Sequence, residues 1–206
     1  MKFTARPHDL VWLRSASALM GIKESWVDSQ WHAGLPVVVR RDVNESGDIP
    51  VGVRGTQRDQ RAAGWIKAED ICRIVTPEAL VDRERLQHSL FVSQRPVQAA
   101  IALTACPWPW HWGITGSTGY QLATGIPVLH DDSDLDLMIR APQPVNNLKL
   151  QQWQSVVNTL PCRTDTQVET PSGAFALNEW LRDGRVLLKT ATGPRLTPSP
   201  WNNESL

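Results

Sequence analysis

The sequence predicts an α+β protein with two domains, a small one at residues 1–85 and a larger one at residues 86–206. Its 206 residues are 41% hydrophobic and 20% charged, a balance that is typical of folded globular domains. In the first part, two β-branched runs flank a cluster of turn residues, which predicts a β-hairpin. In the second part, segments with helix and strand patterns alternate, which predicts a mixed sheet packed with helices.

The charge balance and the cysteines exclude several classes of protein. Lysine plus arginine and aspartate plus glutamate each number 21, so net charge gives no reason to expect binding to nucleic acid or membranes. The three cysteines are widely spaced, which argues against a disulfide framework and favours a reducing compartment. We see no signal peptide and no run of the ~18 apolar residues that a membrane span needs. We therefore expect a cytoplasmic protein.

The first domain is predicted from its N-terminus onward. Asp9 has the chemistry of a helix N-cap, which predicts a short helix over residues 10–19. Residues 35–41 and 49–53 are rich in β-branched side chains and predict the two strands of the hairpin. Pro77 predicts the start of a helix near the domain boundary.

The second domain is predicted to alternate helices with strands. Helices are predicted at residues 93–105, 147–160 and 174–181, and strands at 110–115, 133–140, 163–170 and 185–189. Residues 116–119 are predicted to form a tight turn, and a short helix then runs to Gly125. The helix at residues 147–160 is predicted to place an apolar side largely toward the core, comprising Leu148, Leu150, Trp153, Val156 and Val157.

The acidic run at residues 131–136 carries the predicted chemistry. Side chains two residues apart on a strand share a face, so Asp134 and Asp136 point one way while Leu135 and Leu137 enter the core. Neighbouring carboxylates repel each other, and a divalent cation relieves that repulsion. Mg²⁺ prefers carboxylate and phosphate oxygens, which makes it the expected ion.

A Gly-Ser turn supplies the second half of the predicted site. Gly116 and Ser117 follow a predicted strand and precede a helix, so backbone N–H groups and the helix dipole form an anion site. Taken alone, the acidic run also fits a solvated loop, and the Gly-Ser pair also fits an ordinary turn. A calcium loop is excluded because Leu137 and Gln143 replace its glycine and glutamate. Together the two motifs predict metal-assisted phosphoryl transfer.

These paired motifs resemble those of the nucleotidyltransferase superfamily that includes DNA polymerase beta. There, Gly-Ser opens a helix, an Asp-x-Asp strand follows, and a third carboxylate stands on a later strand. The resemblance implies a nucleotidyltransferase-like (polymerase-beta-like) fold for the second domain. Asp165 and Glu169 share one strand face by the same alternation. Glu169 is the preferred third metal ligand, and Asp165 is the alternative.

The whole chain resembles a narrower family, the holo-acyl-carrier-protein synthases of malonate decarboxylase, also called phosphoribosyl-dephospho-CoA transferases. The resemblance implies an enzyme that takes its prosthetic group from 2'-(5''-triphosphoribosyl)-3'-dephospho-CoA. The acceptor is a serine of the apo acyl carrier subunit of malonate decarboxylase, and pyrophosphate is released. The segments that carry the resemblance are residues 6–10, 36–41, 51–55, 133–136, 168–171 and 193–196.

The resemblance also implies roles for single residues. Asp134 and Asp136 hold Mg²⁺, and one of them or a metal-bound water helps to deprotonate the incoming serine. Gly116 and Ser117 hold the pyrophosphate end of the donor.

Basic and aromatic side chains are further candidates. Lys189 and Arg195 either neutralise phosphate charge or are hydrated surface cations. Three alternating tryptophans stack on the donor's adenine or pack in the core, and core packing is the favoured interpretation; they are Trp108, Trp110 and Trp112. A group of arginines in the first domain either binds the donor's other phosphates or an acidic surface of the carrier, or it forms a hydrated surface. Its members are Arg40, Arg41, Arg54, Arg58 and Arg61.

Two other functions stay open from the sequence alone. One keeps the fold but uses a small molecule or RNA as acceptor, and RNA is disfavoured because the chain lacks net positive charge and a long basic stripe. The other is a non-catalytic module that binds a nucleotide or a carrier protein without metal dependence.

Overall fold

The computed structural model describes residues 4–57 and 59–202. The chain divides into two compact units, Met1–Thr76 and Pro77–Leu206. The boundary between the units therefore lies after Thr76, whereas the sequence predicts it after residue 85. The difference arises because the 3-10 helix Pro77–Leu80 packs against the strand His111–Ile114 of the second unit.

The described residues of the first unit form a five-stranded antiparallel sheet. Its strands are β1 (Leu10–Leu13), β2 (Val37–Val39), β3 (Ile49–Arg54), β4 (Arg61–Ile66) and β5 (Ile71–Val75), and a short helix, α1, spans Val27–Gln30. The strand order is β4-β3-β2-β1-β5. β2 pairs with β3, which confirms the predicted hairpin.

The helix predicted over residues 10–19 is wrong, because its first four residues form β1. All four of these residues are buried, and β1 pairs with β2 on one side and β5 on the other. Asp9 does not cap a helix here. Its Oδ2 accepts a hydrogen bond from the upstream Arg6 N–H at 2.9 Å, whereas an N-cap accepts from an N–H two or three residues downstream.

The second unit contains a six-stranded mixed sheet and helices, as the sequence predicts. Its helices are α2 (Arg83–Gln87), α3 (Arg95–Thr104), α4 (Gly116–Thr124), α5 (Asn147–Val157) and α6 (Leu177–Asp183). Its strands are β6 (His111–Ile114), β7 (Leu135–Arg140), β8 (Thr164–Thr170), β9 (Gly173–Ala176), β10 (Val186–Thr190) and β11 (Gly193–Thr197). The order within the described residues is β11-β10-β9-β8-β7-β6, and only β7 and β8 run parallel.

Three details of the second unit differ from prediction. α4 begins at Gly116, so the predicted tight turn is the first turn of the helix itself. The helix predicted at residues 174–181 begins as β9 and becomes α6 only from Leu177. On α5, Leu150, Trp153 and Val157 are buried as predicted, but Leu148 is 68% exposed.

The alternating tryptophans pack around Trp153 in the core, which confirms the favoured interpretation. Trp108, Trp110 and Trp112 place their ring centroids 4.8, 6.0 and 5.5 Å from that of Trp153. Edge-to-face geometry at these distances is favourable for aromatic pairs. The indole N–H of Trp153 donates to Thr166 Oγ1 at 3.0 Å, so the most buried ring of the group keeps its polar atom satisfied.

None of the helices in the described part of the chain combines the length and the hydrophobicity that a membrane span requires.

Candidate active site

The first turn of α4 lies directly against Asp136. Gly116 has a φ of +61°, in the left-handed region that favours glycine. A Cβ added to Gly116 would overlap the Asp136 carboxylate and lie only 2.8 Å from its Cγ. The backbone N–H of Thr115 donates to the Asp136 carbonyl oxygen at 2.9 Å. The structure thus brings together the Gly-Ser turn and one of the two predicted metal ligands.

Asp134 lies at the same end of β7. It directly precedes Leu135, the first residue of the strand, and its carbonyl oxygen accepts from Thr118 Oγ1 of α4 at 3.5 Å. Leu135 and Leu137 belong to the hydrophobic core, as the predicted alternation requires. The carbonyl oxygens of both aspartates therefore contact the start of one helix, through its N-cap Thr115 and through Thr118.

The third carboxylate near this pair is Asp165, not Glu169. In the parallel pairing of β7 with β8, Asp165 is the register partner of Asp136, whereas Glu169 is the partner of Arg140. Register partners share a face of the sheet. Arg140 lies four residues beyond Asp136 on β7, which corresponds to ~13 Å along a strand. The structure does not bring the preferred residue, Glu169, to the aspartate pair.

Glu169 instead belongs to an ion-pair cluster at the other end of β7. Arg140 Nη1 lies 3.9 Å from Glu169 Oε2, and Arg140 Nε donates to Glu78 Oε1 at 2.9 Å. The Arg140 and Glu169 side chains are 13% and 5% exposed. This cluster links β7 and β8 to the 3-10 helix at Pro77–Leu80.

We expect Arg140→Met to lower the free energy of unfolding by about 3 kcal/mol, because it removes the guanidinium from two largely buried carboxylates. Urea unfolding followed by circular dichroism measures the change. Arg182→Met is the matched control, since Arg182 pairs with Asp183 at the surface. It should leave the midpoint of urea unfolding unchanged. A loss below about 1 kcal/mol for Arg140→Met would show that the buried cluster contributes little.

The structure separates the two predicted phosphate-binding cations from the aspartates. Lys189 on β10 is exposed, and register partners connect it through Ala174 and Glu169 to Arg140. Lys189 therefore lies on the sheet face that Arg140 shares with Asp136, but at the Arg140 end of β7. Three strand spacings, ~14 Å, lie between β10 and β7. Arg195 is the register partner of Leu188, a core residue, so it lies on the opposite face, where its Nη2 donates to the Asn202 carbonyl oxygen at 3.4 Å.

Arg163 was not singled out from the sequence, yet it lies between two of the acids. Its Nη2 is 3.2 Å from Asp165 Oδ2, and its Nε is 3.9 Å from Asp134 Oδ2. The side chain is 73% exposed. The sequence signal for Arg163 is its position directly before the strand that carries Asp165. That position alone does not indicate a contact with Asp134.

A buried glutamine orders the long connection between α4 and β7. Gln121 is fully buried, and its Oε1 accepts from the backbone N–H groups of Val128 and Leu129 at 2.8 and 3.0 Å. Ser133 Oγ then accepts from the N–H of His130 at 2.8 Å. These bonds fix the course of the segment that delivers Asp134 to the helix.

Burial raises the pKa of the Cys162 thiol, and the negative charge of Asp134 adds to the rise. Thr164 and Arg95 act in the opposite direction. Cys162 is thus a poor nucleophile at neutral pH, and it has no catalytic role in our account of the site.

The two aspartates need further ligands, such as substrate phosphates and water, to complete the coordination of Mg²⁺. Among residues 4–57 and 59–202, no group of three or more His, Cys, Asp or Glu is arranged to hold a metal ion. Mg²⁺ is usually bound by one or two carboxylates together with substrate phosphates and water. Asp134 and Asp136 beside the Gly-Ser turn match that pattern, and Gly116 leaves the space that a larger residue would fill.

Two arginines of the predicted group in the first unit, Arg40 and Arg61, make local contacts. Arg40 pairs with Asp42 at 3.4 Å, and Arg61 Nη1 donates to the Gln60 carbonyl oxygen at 2.8 Å. Arg58 lies outside the described residues. Their role in binding stays a prediction.

Comparison with known proteins covers both units. Residues 82–200 match the family model of the phosphoribosyl-dephospho-CoA transferase MdcG C-terminal domain, and residues 6–77 match that of the MdcG N-terminal domain. A curated relative from Klebsiella pneumoniae, named phosphoribosyl-dephospho-CoA transferase, is 68% identical over 204 residues, which are 99% of this chain and 100% of the relative. Relatives with the same name from Pseudomonas putida and Azotobacter vinelandii are 43% and 41% identical, over 95% of this chain and 95% and 94% of their own lengths. No solved structure matches the chain.

Proposed function

Since the chain belongs to the phosphoribosyl-dephospho-CoA transferase family, we propose that it transfers this prosthetic group to a serine of the apo acyl carrier subunit of malonate decarboxylase. The donor is 2'-(5''-triphosphoribosyl)-3'-dephospho-CoA. The serine Oγ forms a bond to the phosphorus nearest the ribose, and the bond from that phosphorus to pyrophosphate breaks. The product is a phosphodiester on the carrier together with free pyrophosphate.

One observation carries this proposal more than any other: the Gly116 backbone packs against the Asp136 carboxylate. A polyphosphate bound by the N–H groups of the first turn of α4 then lies beside carboxylates that hold its cation. This arrangement of strand, Gly-Ser helix and Asp-x-Asp strand supports a nucleotidyltransferase-like fold for the second unit. Phosphoryl transfer depends mainly on positioning and charge neutralisation, and a site that binds both the phosphates and their cation supports this chemistry.

Each residue of the site then has a distinct role. Gly116 and Ser117 bind the pyrophosphate end of the donor, and Asp134 and Asp136 hold Mg²⁺. The ion, when bound, neutralises charge on the reacting phosphates. Asp165 lies beside Asp136 and completes a group of three acids, one of which accepts the proton of the attacking serine.

Mass spectrometry of the apo carrier subunit tests this function. After incubation with the chain, donor and Mg²⁺, the carrier should gain the mass of the phosphoribosyl-dephospho-CoA group. A carrier in which the acceptor serine is replaced by alanine is the matched control and should gain nothing. An unmodified wild-type carrier under these conditions would contradict the proposed acceptor.

A further inference from the structure

Arg163 lies between two of the acids, Asp134 and Asp165. Its guanidinium lies 3.9 Å from Asp134 Oδ2 and 3.2 Å from Asp165 Oδ2, so one cation contacts acids from two different chain segments. The side chain is 73% exposed, compared with 30% for Asp134 and 48% for Asp165. Exposed ion pairs of this kind are weak and exchange readily.

We propose that Arg163 is an internal counter-ion that competes with the divalent cation for Asp134 and Asp165. This inference rests on the proposed function and concerns how its metal site is loaded. While Arg163 contacts both acids, its single positive charge neutralises part of their negative charge, and a metal ion entering alone must displace the guanidinium. When the ion enters with the donor, phosphate oxygens supply further ligands, and they also attract the released guanidinium.

The arrangement of the acids supports this competition. No group of three or more acids, histidines or cysteines is arranged to hold a metal within the part of the chain that the structure describes, although Asp136 and Asp165 are register partners. The side chain of the third acid, Asp165, contacts Arg163 instead. Free Mg²⁺ therefore binds weakly to the chain alone, and the donor and the metal bind cooperatively, because each supplies what displaces Arg163.

Calorimetric titration of the full chain with MgCl₂, without donor, tests the role of Arg163. Arg163→Gln removes the positive charge, and we expect it to bind Mg²⁺ about three- to tenfold more tightly than the wild type, the range that two exposed ion pairs allow. Arg163→Lys retains a positive charge and should stay closer to the wild type. Arg182→Gln breaks a surface pair with Asp183, and it should leave the affinity unchanged.

Equal or weaker Mg²⁺ binding by Arg163→Gln, or no binding by either protein, would overturn the inference. A parallel titration of Asp136→Asn with donor present keeps the proposed function separate. If that variant binds Mg²⁺ as the wild type does, the metal site itself is wrong. If it loses binding while Arg163→Gln behaves like the wild type, only the role of Arg163 fails.

Discussion

Substitution of Asp136 by asparagine is expected to lower the rate of prosthetic-group transfer by about a thousandfold or more, with the fold intact. Asparagine is nearly the same shape but lacks the charge that holds the cation in the proposed mechanism, and removal of one such electrostatic group costs about 10²- to 10⁵-fold in comparable reactions. Asp136 is only partly buried, so its neutral replacement leaves the core intact. Asp134→Asn should have an effect of the same kind.

Single-turnover transfer, followed by the mass of the carrier, measures this effect, and circular dichroism checks the fold. Asp132→Asn is the matched control, because Asp132 belongs to the same acidic run but is exposed in the turn before β7. It should keep near-normal turnover. An Asp136→Asn variant that retains more than a tenth of the wild-type rate would refute the assignment of the metal ligands.

Gly116→Ala is expected to have the second largest effect, a loss of activity of about a hundredfold or more. The new methyl group would collide with the Asp136 carboxylate, so either the carboxylate or the first turn of α4 must move. Misplacement by about 1 Å is enough for a loss of this size when catalysis depends on positioning. Transfer rates at saturating donor, together with donor affinity, measure the change.

Gly125→Ala separates this collision from backbone strain. Gly125 ends α4 with a φ of +75°, similar to the +61° of Gly116, but a Cβ there meets nothing within 4 Å. Both variants carry a backbone strain of about 1–2 kcal/mol, and Gly116→Ala carries the cost of the collision in addition. Only Gly116→Ala should lose activity, so equal activity in the two variants would show that the contact with Asp136 is unimportant.

The sequence predicts the pairing of the two central motifs because both depend on local rules. Strand alternation places Asp136 on the face opposite Leu135 and Leu137, and a glycine before a helix predicts a close backbone approach. The structure contains the alternation and places Gly116 against Asp136, whereas the close approach of a phosphate to Gly116 stays a prediction. Residues 10–13 form an inner strand of the sheet and not the predicted helix, because local composition does not reveal that a segment will pair with a strand on each side.

The identity of the third acid does not follow from these local rules. Alternation places Asp165 and Glu169 on one face but does not say which of them lies beside Asp136. Only the register of β7 with β8 decides this, and register depends on packing across the whole sheet. Arg163 was missed for the same reason, since its contacts join acids from separate segments. β11 was missed because its Gly-Pro start does not have the β-branched composition of a strand.

The most direct test of the site is a crystal structure of the chain with the donor and Mn²⁺, located by anomalous scattering. We expect the anomalous peak of Mn²⁺ to be in direct contact with carboxylate oxygens of both Asp134 and Asp136, with donor phosphates at the N–H groups of Gly116 and Ser117. A peak remote from these two carboxylates, or phosphates held elsewhere, would contradict it.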